Sequence, residues 1–68
     1  MKGFYKHKNH RDICYQIIKA YYIPEKDGWK IKFRWWNISG SEAFWMGLPD
    51  QTGFISREDR YNWKPYEV

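Results

Sequence analysis

Residues 29–37 read WKIKFRWWN, a stretch in which two kinds of side chain alternate. One set is apolar and the other is mainly cationic: Trp29, Ile31, Phe33 and Trp35 against Lys30, Lys32, Arg34 and Trp36. Successive side chains of a strand point to opposite faces of a sheet, so this period of two predicts a half-buried strand. We expect the apolar set to form the core and the cationic set to face solvent.

The segment before this stretch is predicted to be its hairpin partner. Residues 13–23 read ICYQIIKAYYI, which is rich in β-branched and aromatic residues and contains neither Gly nor Pro. The intervening residues 24–28, PEKDG, indicate a turn because proline ends a strand and Asp-Gly favours a positive φ. We therefore predict an antiparallel hairpin between residues 13–23 and 29–38.

Alternation in the first hairpin strand is imperfect. The pairs Ile17-Ile18 and Tyr21-Tyr22 break the period of two, which indicates a β-bulge or a strong bend. Helical spacing is the alternative for this segment, with one stripe formed by Ile13, Ile17, Ala20 and Tyr21.

The rest of the chain predicts shorter elements. Strand candidates cover residues 3–8, 42–48, 54–55 and 63–66, and residues 50–53 read as a tight turn. Ser56 precedes Asp59 by three residues, a capping pattern that predicts one helical or 3-10 turn in residues 57–62. The whole is expected to be one mainly β domain over residues 1–68, a small barrel of about five antiparallel strands with a single helical turn near the C-terminus.

This layout resembles the SH3-like and Tudor-like small β-barrels, with a long bent hairpin first, shorter strands after it and a 3-10 turn before the last strand. The acidic ALYDY pattern of signalling SH3 domains is missing, which argues against recognition of proline motifs. Two short segments, GFYKH at residues 3–7 and YQII at residues 15–18, also look like short uncharacterised bacterial and bacteriophage proteins.

Composition narrows the class of protein. The chain has 68 residues, and its apolar content lies in five Trp, six Tyr and four Phe rather than in leucine, of which Leu48 is the single example. Cys14 is the only cysteine, so an intramolecular disulfide is excluded and a cytoplasmic location is expected. No segment approaches the roughly 18 apolar residues of a membrane span, so we expect no membrane partner.

Residues suited to catalysis are few. The imidazoles are His7 and His10, which we interpret as surface residues, and Cys14 lies within an apolar run typical of a packed side chain. Glu58-Asp59 is flanked by Arg57 and Arg60 and predicts a salt-bridged turn. We expect neither enzymatic activity, nor a cofactor, nor a bound metal.

Binding is the function that the pattern favours. Lys30, Lys32 and Arg34 recur at about 6.6 to 7 Å along one strand face, a spacing that suits successive phosphates, and Trp36 offers an indole for base stacking. Residues 1–34 hold nine Lys and Arg against three Asp and Glu. The positive surface is expected to include Lys6, Lys8 and Arg11. The predicted ligand is single-stranded nucleic acid or a nucleotide.

Two alternatives use the same residues differently. The cations could simply form the solvated face of an amphipathic strand. Fifteen rings in a chain of this length exceed what a small core encloses, so some of them could anchor a protein partner or a second copy of the chain. The protein-partner alternative is an interaction module, such as a phage-type accessory protein that inhibits or redirects a host enzyme.

Overall fold

The computed structural model describes residues 1–67. It contains six strands, a 3-10 turn and a short helix. The strands are β1 (Gly3–His7), β2 (Ile13–Ile23), β3 (Gly28–Ser39), β4 (Glu42–Trp45), β5 (Gln51–Ser56) and β6 (Trp63–Pro65). The 3-10 turn spans Pro24–Lys26, and the helix α1 spans Arg57–Arg60.

The predicted hairpin of β2 and β3 is confirmed and forms the centre of the sheet. The two strands pair antiparallel from Ile13 opposite Asn37 to Ile23 opposite Gly28. Residues 13–23 are therefore strand throughout, and the helical alternative is wrong. At their connection Asp27 adopts a left-handed conformation with φ of 48°, as the Asp-Gly signal predicts.

The expected irregularity in β2 is also present. The register shifts between Ile17 and Lys19, which leaves Ile18 as an extra residue without a partner on β3. A bulge of this kind restores alternation, so that Lys19 and Ala20 again point to opposite faces. The doubled isoleucines in the sequence are the local cause.

The sheet has the order β4-β3-β2-β1-β6, and β5 also pairs with β3. β4 and β5 share the same side of β3, one opposite residues 36–39 and the other opposite residues 28–33. No strand pairing among residues 1–67 closes this path, so the expected closed barrel is not formed and six strands replace the expected five. Residues 51–53, which were predicted to lie in a tight turn, are instead paired in β5 and extend the strand candidate at residues 54–55.

One face of the sheet holds the hydrophobic core. Its buried members come from four strands: Tyr15, Ile17, Ile31, Ile55 and Trp63. Trp29, Phe33 and Trp35 pack against them, so the apolar set of the β3 stretch faces the core as predicted. Rings meet edge to face there, with the centroids of Tyr15 and Trp35 5.5 Å apart.

Ser56 begins α1 as the capping pattern predicts. Its side-chain oxygen accepts a hydrogen bond from the Asp59 backbone N–H at 3.1 Å. The helix ends after a single turn, because Tyr61 and Asn62 lead directly into β6. This turn brings the last strand back beside β1, where His7 lies opposite Trp63.

Candidate functional site

The face of the sheet opposite the core is cationic, and we call it the outer face. Directly paired residues share a face of a sheet, so the register assigns its members. On β3 these are Lys30, Lys32, Arg34 and Trp36. On β2, Tyr21 lies opposite Lys30 and Lys19 lies opposite Lys32. On the other side of the sheet Lys6 of β1 lies opposite Lys64 of β6. The six cations of the outer face are therefore Lys6, Lys19, Lys30, Lys32, Arg34 and Lys64.

Arg34 is held in place by two contacts. Its Nε donates a hydrogen bond to Asp50 Oδ1 at 2.9 Å, and its guanidinium lies 4.8 Å from the centre of the Trp45 ring. Asp50 neutralises part of its charge. Among the cations predicted from the β3 stretch, Lys30 and Lys32 are the exposed ones, whereas Arg34 is partly buried.

Trp36 is not the freely exposed indole that the sequence predicted. Its Nε1 donates to Gln16 Oε1 at 3.2 Å, and its ring meets Phe4 edge to face with centroids 5.4 Å apart. It lies half-buried as a result. The rings that remain open on this face include those of Tyr21, which is 58% exposed, Trp45, which is 50% exposed, and Phe54, which is 46% exposed. Trp45 lies opposite Trp36, and Phe54 opposite Lys30.

Lys6, Lys8 and Arg11 gather at a different place from the β3 cations. They line a cavity of about 600 Å³ between the turn that follows β1 and the turn that follows α1. We call this the basic cavity, and its full lining is Lys6, His7, Lys8, His10, Arg11, Asp12, Tyr61, Asn62 and Lys64. The seven residues predicted from the sequence thus form two groups, four on β3 and three at the basic cavity.

The outer face and the basic cavity are continuous. Lys6 and Lys64 belong to both, because their register positions lie on the outer face and both residues line the basic cavity. Trp36 lies opposite Cys14 on β2, and Lys6 lies on the next strand, close enough for its charge to act on the Cys14 thiol. Because β2 lies between them, β3 and β1 are two strand spacings apart, so about 10 Å separates the β3 residues of the outer face from those of β1. Lys64 and Lys19 were missed because no pattern in their own segments reveals which strands they lie against.

Asp59 ties together the walls of the basic cavity. Its Oδ1 accepts hydrogen bonds from His7 Nε2 and Asn62 Nδ2, each at 3.0 Å, and its Oδ2 accepts one from Trp63 Nε1 at 2.9 Å. Burial by itself would raise the pKa of Asp59, but the hydrogen bonds from Asn62, His7 and Trp63 lower it to about 2. The carboxylate is therefore charged at neutral pH and fixes β1 to the α1 turn.

This arrangement corrects the interpretation of several residues. His7 is buried rather than a surface histidine, and its Nδ1 accepts the Asn9 backbone N–H at 3.1 Å, so both ring nitrogens are occupied. The expected local salt bridges within residues 57–60 are not formed. Instead Arg57 Nε donates to Asp27 Oδ1 at 2.8 Å, where the start of β3 lies beside the end of β5, and Arg60 donates to the Trp63 carbonyl.

His10 has a different environment from His7. Tyr15 OH lies 2.6 Å from His10 Nδ1, and the two imidazole rings have centroids 4.7 Å apart. Burial raises the pKa of Tyr15, and its hydroxyl and His10 Nδ1 share one hydrogen bond whose direction depends on the tautomer of the imidazole. Nε2 of His10 makes no hydrogen bond within residues 1–67, and the side chain lines the basic cavity.

Cys14 is fully buried, as predicted for a packed thiol. Burial raises its pKa, and the nearby Lys6 lowers it by a smaller amount. Among residues 1–67, no group of three or more His, Cys, Asp or Glu side chains is placed to hold a metal ion. No helix in the described part of the chain has the length and apolar character needed to cross a membrane.

In comparisons with known proteins the chain matches no family model, no curated protein and no solved structure.

Proposed function

We propose that this protein is a non-enzymatic binding protein whose outer face takes a phosphate-bearing ligand, with single-stranded nucleic acid as the ligand that fits best. The observation that supports this most is the state of the lysines. Within residues 1–67, none of the five lysines of the outer face takes part in an ion pair, and Arg34 with Asp50 is the one ion pair there. Lysines without a carboxylate partner can exchange their counterions for phosphates.

Rings on the same face support nucleic acid over other polyanions. Trp45 and Phe54 are about half exposed and lie at β4 and β5, beside the cations of β3. Base stacking on such rings contributes to binding regardless of sequence, which is how single strands are commonly held. A merely solubilising face would not need exposed aromatic rings among its lysines.

A salt titration with a matched variant tests the proposal. Lys32→Gln removes one exposed charge of the outer face, whereas Lys26→Gln removes one from the 3-10 turn at the tip of the hairpin. Binding of a labelled single-stranded oligonucleotide is measured by fluorescence anisotropy at several salt concentrations. The slope of log affinity against log salt should fall by about 0.7 in Lys32→Gln and stay unchanged in Lys26→Gln. Equal slopes in both variants, or binding insensitive to salt, would overturn the proposal.

We infer in addition that the fold is an open arrangement of the SH3-like type. Support comes from the long bent hairpin, the single helical turn before the last strand, and the pairing of that last strand with the first. A solved structure in which β5 and β6 close the sheet when ligand is bound would extend this to a full barrel.

A protein partner is the second candidate, and one observation favours it. Four apolar side chains are exposed in and just after the edge strand β4: Phe44, Trp45, Met46 and Leu48. Apolar edge residues of this kind suit association with another protein or a second copy of the chain. Sedimentation over a range of concentrations tests self-association, and Phe44→Ser should abolish it if β4 is the interface.

A further inference from the structure

We propose that the basic cavity binds a phosphate monoester, carried either by the end of a nucleic-acid strand or by a free mononucleotide. This inference deepens the proposed function. It rests on that function for its strand-end form, in which the phosphate belongs to the end of a nucleic-acid strand. The basic cavity was not recognisable in the sequence, because its lining comes from three separate segments: the β1 strand with its following turn, the α1–β6 turn, and β6.

Charge is the first reason to expect an anion there. Three lysines and one arginine line the basic cavity, and Asp12 is the carboxylate of its lining. None of the four cations makes an ion pair within residues 1–67. The excess of positive charge is therefore not compensated by the described part of the protein. A monoester carries about −1.5 to −2 charges at neutral pH and has several oxygens to accept hydrogen bonds from different directions.

Rigidity is the second reason. The Lys8 backbone N–H donates to the Asn62 carbonyl at 2.9 Å, and the His10 backbone N–H donates to the His7 carbonyl at 3.0 Å. Lys6 Nζ donates to the Arg11 carbonyl at 3.1 Å, which holds its ammonium at the cavity. Together with the Asp59 contacts, these bonds connect both walls before any ligand arrives. A preformed site binds with a smaller entropy cost than one that must be ordered by its ligand.

The position of the basic cavity favours binding of the terminal phosphate of a nucleic-acid strand. Lys6 and Lys64 connect it to the outer face, and β6 is the last strand on that side of the sheet. A single-stranded nucleic acid that follows the cations of the outer face toward β6 therefore reaches the basic cavity at the edge of the sheet. Internal phosphodiesters carry one charge each, whereas a terminal phosphate brings nearly two to the four cations of the basic cavity.

Tyr61 gives a reason to expect a nucleotide rather than inorganic phosphate. Its side chain is 75% exposed although it lines the basic cavity, so its ring is free to stack on a base. His10 lines the same volume, and its Nε2, which makes no hydrogen bond within residues 1–67, can donate to a phosphate oxygen as Nε2–H. The phosphate and the adjoining base would then contact different parts of one site.

Two variants that each remove two charges separate the basic cavity from the outer face. The cavity variant is Lys8→Gln with Arg11→Gln, whose side chains are exposed and whose backbone hydrogen bonds are kept. The strand variant is Lys30→Gln with Lys32→Gln. Anisotropy is measured with one oligonucleotide in three forms: 5′-phosphorylated, 3′-phosphorylated, and with hydroxyls at both ends.

The wild type should bind one phosphorylated form about ten-fold more tightly than the hydroxyl form, the size expected for charge-assisted hydrogen bonds to one phosphate. In the cavity variant this preference should be lost while the hydroxyl form binds nearly as before. In the strand variant all forms should weaken together and the preference should remain. No preference in the wild type, or equal weakening of all forms in the cavity variant, overturns the strand-end form of the proposal.

Calorimetry with adenosine monophosphate and with inorganic phosphate distinguishes the two sources of the monoester. Binding of the mononucleotide that is lost in the cavity variant supports the free-nucleotide form, even if no oligonucleotide binds and the outer-face proposal fails. Tyr61→Leu should weaken the mononucleotide about five-fold, by loss of stacking, and leave inorganic phosphate unchanged. Equal binding of adenosine monophosphate to the wild type and the cavity variant contradicts the assignment of the site.

Discussion

Asp59 is the residue whose removal should reveal most about how the sheet is held together. Its carboxylate accepts three side-chain hydrogen bonds, from His7, Asn62 and Trp63. Asp59→Asn keeps the shape but replaces one acceptor oxygen by a donor, so at least one of these partners is left without an acceptor. An unsatisfied buried donor costs about 1 to 3 kcal/mol. We expect the free energy of unfolding to fall by about 2 kcal/mol at neutral pH.

The same carboxylate makes a defined contribution to the pH dependence of stability. Its pKa falls from 3.8 to about 2 on folding, a difference worth about 2 kcal/mol before screening by solvent. The Asp59 side chain is 38% exposed, so solvent screening reduces this to about 1 kcal/mol. Because the folded pKa is the lower one, the contribution is complete above pH 4 and is lost as the pH falls toward 2.

Urea unfolding followed by tryptophan fluorescence measures this directly. The wild type and Asp59→Asn are compared at pH 7, 4, 3 and 2, and the difference between their unfolding free energies should shrink by about 1 kcal/mol below pH 4. Other carboxylates titrate equally in both proteins and cancel from the difference. A difference that stays constant from pH 7 to pH 2 would refute the role given to the Asp59 charge.

Two further predictions concern packing. Ile17 is 2% exposed, so Ile17→Ala should lower the free energy of unfolding by about 2 to 5 kcal/mol. Replacement of a fully buried Phe by Ala costs roughly 3 to 5 kcal/mol, and Phe33→Ala should cost less because Phe33 is only partly buried. A loss of more than about 3 kcal/mol in Phe33→Ala, measured by urea unfolding, would contradict this expectation. Gly28→Ala should destabilise by about 1 to 3 kcal/mol, since its new methyl group would lie 2.6 Å from the Ile55 carbonyl oxygen. Gly40→Ser is the comparison variant, because its side chain would meet no atom within 4 Å while its φ of 62° strains the backbone, so its loss reports strain alone. A loss well below about 1 kcal/mol in Gly28→Ala would contradict the role of the Ile55 contact.

Local patterns in the chain were sufficient to predict the central hairpin. The period of two in residues 29–37 identified the core face of β3 correctly, because alternation is a property of each strand by itself. The doubled isoleucines predicted the bulge, and Ser56 with Asp59 predicted the start of α1, since both features depend on residues a few positions apart. The basic character of the outer face follows from the same alternation.

The features that the sequence did not predict depend on partners far apart in the chain. His7 and Asp59 are 52 positions apart, and neither segment indicates that they meet. Closure of the sheet depends on how far six strands curve, which local spacing does not determine. Trp36 was expected to be exposed, but Phe4 from β1 covers its edge, and only the strand order brings that ring near.

For the candidate site, the sequence by itself determined which residue types are cationic and which face of β3 they occupy. Tertiary structure decided that Lys6, Lys8 and Arg11 gather with Lys64 in a cavity instead of extending the β3 cations in one line. The physical reason is that a strand's own geometry fixes the direction of its side chains, whereas the pairing of β1 with β6 and the Asp59 contacts fix which distant charges come together.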